Sequence, residues 1–419
     1  MADNTIISKT DKFISDMIKA SGIEVNEEEI TNSVYNLGNR FRLAKLMKKA
    51  KSGKELTLAF FGGSITAGAS AGTLPLPESN IKTTFNTSDN TYLHWVCRWF
   101  KEVFACPVKM INAGIGATDT PYAVHRMNED VLSHNPDLVI LEWSVNDGAQ
   151  FLYKQGTYEA MLRNFIKSDT AIIMLSLCTR TGDSSQALQE PIAKFYDIPM
   201  ISYRDAFINN PKFEYFTNDS VHPNAVGHPL VGLLLCSYFQ NICINLDSAE
   251  KSDICVGADS LHSDATIYDG AYIAKLSDIY ENKVSGVRIT DLGSFEFDEK
   301  TEWKFCFRKY LGFTARYAES YNPLIIEIDK CKTAFLMIYR NTVMLGSEFT
   351  VELNGINIES NTFTCMHGTD NNQPEWDYHW ATERLCYFES GERVVIKITP
   401  KINPEHKDSV VRVFALLLS

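Results

Sequence analysis

The sequence predicts a three-layer α/β sandwich built on a parallel five-stranded sheet, followed by a C-terminal all-β sandwich. Three observations predict it. From residue 56 to about residue 245, short apolar runs alternate with longer amphipathic ones, the pattern of parallel strands joined by crossover helices. Beyond that point, short β-branched and aromatic runs recur about every ten residues, split by Gly, Asn, Asp and Pro, as in antiparallel sheets. The chain has 419 residues, 45% apolar and 22% charged, which is enough for two cores and excludes a disulfide miniprotein, wholesale disorder and a fibrous repeat.

The elements follow in order. Residues 1–53 read as a helical lead-in: Phe13, Met17 and Ile18 share one helix face, and residues 32–53 carry apolar positions at helical spacing before Lys-rich turns that end at Gly53. The α/β domain is expected over residues 54–246. Its strands are residues 56–63 (LTLAFFGG), 108–114 (VKMINAG), 137–144 (DLVILEWS), 171–178 (AIIMLSLC) and 199–203 (PMISY). Helices are expected between them at 91–104, 119–134, 157–167 and 184–197, with a last one over roughly 223–242. The β domain is expected over residues 255–419, with strands such as GVRIT, LIIEI, TAFLMIY and RVVIKI. No solenoid period or low-complexity stretch interrupts this plan.

Charge and cysteine usage narrow the partners. Forty Lys and Arg against 52 Asp and Glu leave a net charge of -12, a surface that repels polyphosphates and anionic headgroups, so neither nucleic acid nor a membrane is an expected partner. The most apolar stretch, residues 230–246, is broken by Ser237, Gln240, Asn241 and Asn245 and reads as a buried helix. Residues 1–20 lack the basic and apolar blocks of an export signal, and the ten cysteines show no C-x-x-C pair. Both features lead us to expect a cytoplasmic protein with reduced thiols. A homo-oligomer is compatible with the sequence but not specified by it.

In an open α/β sheet, ligands bind beyond the carboxyl ends of the strands, so those ends carry the candidate chemistry. The first strand ends in Gly62-Gly63-Ser64-Ile65-Thr66, where two glycines permit a sharp turn that brings out a serine hydroxyl. Taken singly, this reads rather as a turn with a capping hydroxyl. It departs from the G-x-S-x-G elbow at Thr66, and no G-K-[ST] follows to make a phosphate loop. The second strand ends in Asn112-Ala113-Gly114-Ile115-Gly116-Ala117-Thr118, whose third dinucleotide-loop glycine is replaced by Asp119. After the third strand stands Asn146, a turn former or an amide donor for a developing oxyanion. Asn218-Asp219-Ser220-Val221-His222-Pro223-Asn224 sets a carboxylate three residues from an imidazole, the spacing that can orient a general base. His228 and the remaining histidines have no comparable partner and read as surface or packing residues. No metal-binding spacing occurs, and neither metal nor organic cofactor is expected.

The ordered set of Ser, Gly-rich turn, Asn and Asp-x-x-His resembles the SGNH (GDSL-like) hydrolase superfamily over about residues 56–245, most specifically in GGSIT, EWSVND and DSVHPN. The resemblance implies an SGNH, flavodoxin-like sheet and a serine esterase. Ser64 would be the nucleophile, His222 the general base and acid, and Asp219 the residue that orients His222. The Ser64 N–H, an N–H from Gly116 or Ala117, and the Asn146 side chain would form the oxyanion hole. Two positions depart from the family pattern: Gly63 stands where the family name has Asp, and the block-two glycine falls on Ala117.

Similarity to two-domain carbohydrate acetylesterases implies an acetylated oligosaccharide as substrate. The stretch 366–380 adds aromatic rings among amide and acid groups, so Trp376, Tyr378, His379 and Trp380 are candidate sugar-binding residues. The period-two spacing of Trp376, Tyr378 and Trp380 equally fits a half-buried strand. The alternatives are an acyltransferase to a sugar hydroxyl, a thioesterase or lipase, and a non-catalytic sugar-binding protein.

Overall fold

The computed structural model describes residues 4–75, 88–148, 154–246, 252–257, 259–305, 308–340, 347–364 and 379–419. The chain divides into two compact units, Met1–Ala123 with Met127–Ala265, and Val124–Arg126 with Thr266–Ser419.

The first unit opens with helices α1 (Asn4–Ser21) and α2 (Glu27–Asn32), strand β1 (Val34–Asn36) and helix α3 (Phe41–Lys51). The strand-helix alternation then runs β2 (Leu56–Gly62), α4 (Ser64–Ala67), α5 (Tyr92–Phe104), β3 (Val108–Asn112), α6 (Thr120–Asp130), β4 (Leu138–Glu142), α7 (Ser144–Asp147) and α8 (Gln155–Lys167). It ends with β5 (Ala171–Ser176), α9 (Gln186–Phe195), β6 (Met200–Ser202), α10 (Tyr203–Phe207) and α11 (Gly227–Ile244). The sheet order is β1-β6-β5-β4-β2-β3, and β2 to β6 run parallel. In their own order these five stand 2-1-3-4-5, the flavodoxin-like arrangement, with its switch point between β2 and its neighbours β3 and β4. Every residue of β4, β5 and β6 is buried, as strands covered on both faces require.

The sheet differs from the five-stranded expectation by one strand. β1 lies antiparallel on β6, with Val34 opposite Ile201. It is only three residues long and sits in a stretch that otherwise reads as helix, so neither periodicity reveals it. The helices flanking it do follow the pattern. A stripe of Ile6, Thr10, Phe13 and Met17 is buried along α1, which packs on α5 and α11. Asn26 and Glu29 close a reciprocal capping box on α2. Helix α11 is apolar almost all round and correspondingly buried, and no helix among the described residues is long and apolar enough to cross a membrane.

The second unit contains β7 (Tyr272–Lys275), α12 (Leu276–Tyr280), β8 (Val287–Asp291), β9 (Phe295–Phe305), β10 (Arg308–Ala315), β11 (Leu324–Arg340), β12 (Ser347–Leu353), β13 (Ile356–Thr364), β14 (His379–Ile402) and β15 (Val411–Leu418). All of its pairings are antiparallel and link nine strands into one hydrogen-bonded sheet. One network replaces two separate ladders because β11 changes neighbour along its length. Residues 325–328 pair with β8 and residues 334–338 with β15, and irregular register lies between them. Opposed pairs Leu324 with Ile398, Ile326 with Ile396 and Ile328 with Val394 supply the core at period two.

Trp99 is fully buried in the core of the first unit, among aromatic rings. Its ring meets Phe100, Phe104 and Phe239 at centroid distances of 4.8, 5.3 and 5.5 Å, and its indole N–H donates to Thr10 Oγ1 at 3.2 Å. Trp99→Ala is expected to lower the unfolding free energy by about 3–5 kcal/mol, because a cavity opens and the Thr10 contact is lost; denaturant titration measures this.

Candidate active site

Ser64 stands at the first position of the one-turn helix α4, immediately beyond the tip of β2, and is 6% exposed. Its Oγ lies 2.7 Å from His222 Nε2. On the other side of the ring, Nδ1 lies 2.7 Å from Asp219 Oδ2. A carboxylate oxygen can only accept, so Nδ1 carries the hydrogen and Nε2 is left to accept from the serine hydroxyl. Asp219 Oδ1 accepts from the backbone N–H groups of Val221 and His222 at 2.8 and 2.6 Å, which folds the Asp-x-x-His turn around the carboxylate.

The chain around His222 is pinned by Asn224, which is fully buried. Its amide donates to Tyr215 O at 2.8 Å and to Asn218 Oδ1 at 2.7 Å, while its Oδ1 accepts from Val226 and Gly227. Asn218 in turn donates to Leu74 O at 2.8 Å. Sequence reasoning quoted Asn218 and Asn224 in the motif without a role. Two amides enclosing a histidine turn are the signal that identifies them. His228 is a packing residue: its ring stacks on Tyr92 with centroids 6.1 Å apart, and burial pushes it down to about 4, so it stays neutral.

Two further turns close on Ser64 through glycines. A Cβ on Gly63 would lie 2.4 Å from Asn146 Oδ1 and 2.7 Å from its Nδ2, so the side-chain amide occupies the space that any other residue at 63 would need. A side chain at residue 63 would therefore require the Asn146 amide to move. A Cβ on Gly114 would lie 2.2 Å from Ala67 N, which shows how tightly the turn after β3 is seated on α4. That turn is held by Ala113 N donating to Phe60 O and Ile115 N donating to Gly62 O, at 2.9 and 3.0 Å.

Within the turn, Ala117 is left-handed, with φ 55°, and Gly116 is not. The second departure thus places an alanine in the conformation that favours glycine. The exit of the turn is tied to the Asn146 helix, because Asp147 accepts from Thr120 N and Thr120 Oγ1 at 3.1 and 3.0 Å. Burial pushes the Asp147 carboxyl up to about 7, against the opposing pull of the Lys154 ammonium at 3.9 Å. Lys154 also pairs with Asp119 at 3.1 Å. None of Asp119, Thr120, Asp147 and Lys154 was assigned from sequence.

Ser64, Asp219, His222, Asn146 and the Gly116–Ala117 turn are therefore brought to one set of strand ends. Trp376 and Tyr378 lie outside the described residues. His379 and Trp380 begin β14, opposite Arg340 and Tyr339. Among the described residues, no cluster of three or more His, Cys, Asp or Glu is placed to hold a metal ion.

Residues 60–230 match the model of the GDSL-like Lipase/Acylhydrolase family. A two-domain esterase active on acetylated mannans has a similar fold, with 23% identity and a TM-score of 0.72 over 93% of this chain and 98% of that one. A structure of a two-domain esterase active on acetylated mannans, co-crystallised with mannopentaose, gives 22% identity and a TM-score of 0.71 over the same shares. Comparison with curated protein sequences gives no match.

Ala117→Gly is expected to raise the unfolding free energy by about 0.5–1 kcal/mol, since relief of a left-handed alanine outweighs the added entropy of the unfolded chain. Thermal unfolding of the purified variant measures this, and a lower melting temperature would contradict it.

Proposed function

We propose that this ester hydrolase is a serine carbohydrate esterase that removes a short acyl group, acetyl above all, from an O-acylated oligosaccharide. The observation that carries the reading is the unbroken relay from Ser64 Oγ to His222 Nε2 and from His222 Nδ1 to Asp219 Oδ2, both steps 2.7 Å. The acetylated-mannan activity of the two-domain neighbours supports the substrate class, and their shared architecture supports a role for both domains.

In the proposed reaction, Ser64 Oγ attacks the acetyl carbonyl carbon while its proton passes to His222 Nε2. The carbonyl oxygen becomes an oxyanion facing the Ser64 N–H, the Ala117 N–H and the Asn146 amide. Between Gly116 and Ala117, the left-handed backbone favours Ala117 as the donor, because that conformation falls where the family keeps its glycine. The carbon–oxygen bond to the sugar then breaks, and His222 returns its proton to the departing sugar oxygen. Water repeats the sequence on the acetyl-enzyme: its proton goes to His222, its oxygen to the carbonyl carbon, and acetate leaves as Ser64 regains a proton. Asp219 keeps its negative charge throughout and stabilises the imidazolium.

Ser64→Ala is expected to lower acetate release from acetylated manno- and xylo-oligosaccharides by about 10⁴-fold or more, with an unchanged melting temperature. Turnover near that of the unmodified protein would overturn the assignment. Asn146→Ala is expected to cost about 10²–10³ in kcat if its amide faces the oxyanion. Exhaustive chelation is expected to leave turnover intact, and loss restored by a divalent ion would contradict a metal-free mechanism.

A further inference from the structure

Glu142 ends β4 directly behind the Ser64 turn and takes no part in the proposed relay. It is completely buried. Its Oε2 accepts from the Thr66 hydroxyl at 3.0 Å, and Thr66 Oγ1 in turn lies 2.8 Å from the Tyr92 hydroxyl. The chain of donors therefore runs from Tyr92 to Thr66 to Glu142. The carboxyl also lies against the start of the turn, since a Cβ on Gly62 would come 3.0 Å from Oε2, while Oε1 is buried and meets no hydrogen-bond partner.

These contacts bracket residue 64. One lies two places before it, at Gly62, and the other two places after it, at the Thr66 hydroxyl, so both sides of the turn meet one carboxyl group. The N–H of residue 64 is left out of this set. That N–H is a donor the proposed oxyanion needs.

We propose that Glu142 is a positioning residue for Ser64: its buried carboxyl fixes the nucleophile turn from behind while leaving the Ser64 N–H to the substrate. The inference rests on the serine-esterase reading. Its charge state matters because a carboxylate packed against both sides of the turn would set a negative charge beside the developing oxyanion. Burial pushes the carboxyl up to about 8 from an ordinary value of 4.5, against the opposing effect of its hydrogen bonds. The other titratable groups that face it are Asp147 on α7, Tyr92 on α5 and Tyr158 on α8. Asp147 also raises Glu142, and burial raises all three, so no cation among them favours the carboxylate.

The sign for stability follows. Between the ordinary carboxyl value of 4.5 and about 8, the folded chain holds a proton on Glu142 that the unfolded chain has released. Stability contributed by this site is thus complete below that window and is lost as pH rises through it. Glu142→Gln keeps the shape and the acceptor and removes the titration. Its melting temperature relative to the unmodified chain should therefore climb across the same window.

The test compares unmodified chain, Glu142→Gln and Glu142→Ala on one acetyl ester, with kcat and KM followed over pH and melting temperatures recorded alongside. Glu142→Ala is expected to lose about 10- to 100-fold in kcat with KM within about twofold, as a shifted nucleophile would. The unmodified chain is expected to lose kcat above about pH 8, and Glu142→Gln to recover kcat to within about threefold at lower pH and to lack that alkaline fall. A folded alanine variant with undiminished kcat, or a glutamine variant that keeps the alkaline fall, overturns the inference. If the alanine variant does not fold, the alkaline limb of the glutamine variant and its melting-temperature difference decide the question. An unmodified chain without esterase activity instead overturns the reading on which the inference rests, and the melting-temperature series still reports on the buried proton.

Discussion

The contacts that join the Ser64 turn to the turns after β3 and β4 are made at backbone range, and the rest of the site depends on that approach. Gly63 admits the Asn146 amide, and Gly114 admits the backbone at Thr66 and Ala67. Parallel strands bring the three turns to the same edge, because each crossover returns the chain in the same direction. With β2 between β3 and β4, the Ser64 turn stands at the switch in strand order, where a crevice opens of its own accord. The histidine comes from the loop before α11, 158 residues away, and needs its own scaffold of Asp219, Asn218 and Asn224 to meet the serine.

Buried acids recur as fasteners in this unit. Glu142 accepts from the Thr66 hydroxyl in the serine turn, and Asp147 gathers donors from the start of α6. Glu159, on α8, accepts from Tyr196 Oη, from the backbone at Leu261 and His262, and from the His262 ring. A buried carboxyl suits this purpose because it accepts several backbone N–H groups that would otherwise stand unpaired in a dry interior. The cost is a proton equilibrium displaced toward the neutral form at Glu142 and Asp147. The acidic excess of the whole sequence thus conceals two kinds of carboxyl, those on the surface and those that hold turns in place.

Much of the first unit was legible because crossover helices and fully buried strands write themselves into hydrophobic period. The motif residues Ser64, Asn146, Asp219 and His222 stood out for the same reason: each follows a readable strand or precedes a readable helix. Strand β1 did not, since three residues define no period and its pairing with β6 lies more than 160 positions downstream. Glu142 was also hidden, because the last residue of an apolar strand looks like the edge of the sheet until burial is known. The left-handed Ala117 could be suspected from the missing glycine but not assigned, because sequence carries no φ. In the second unit the strands were visible as short runs, yet β11 and β14 are long elements whose register shifts are set by partners far along the chain.

The lead-in helices are fastened almost entirely to later parts of the chain. Gln240 on α11 donates to Asp11 at 2.6 Å, Tyr238 donates to Leu37 O at 2.6 Å, and Tyr35 donates to Glu190. These sequence separations of 155 to 229 residues make the segment slow to find its place. During synthesis its apolar stripe is exposed while most of the sheet is still being made, so the nascent chain presents a chaperone with an amphipathic handle that vanishes only when α11 has been translated.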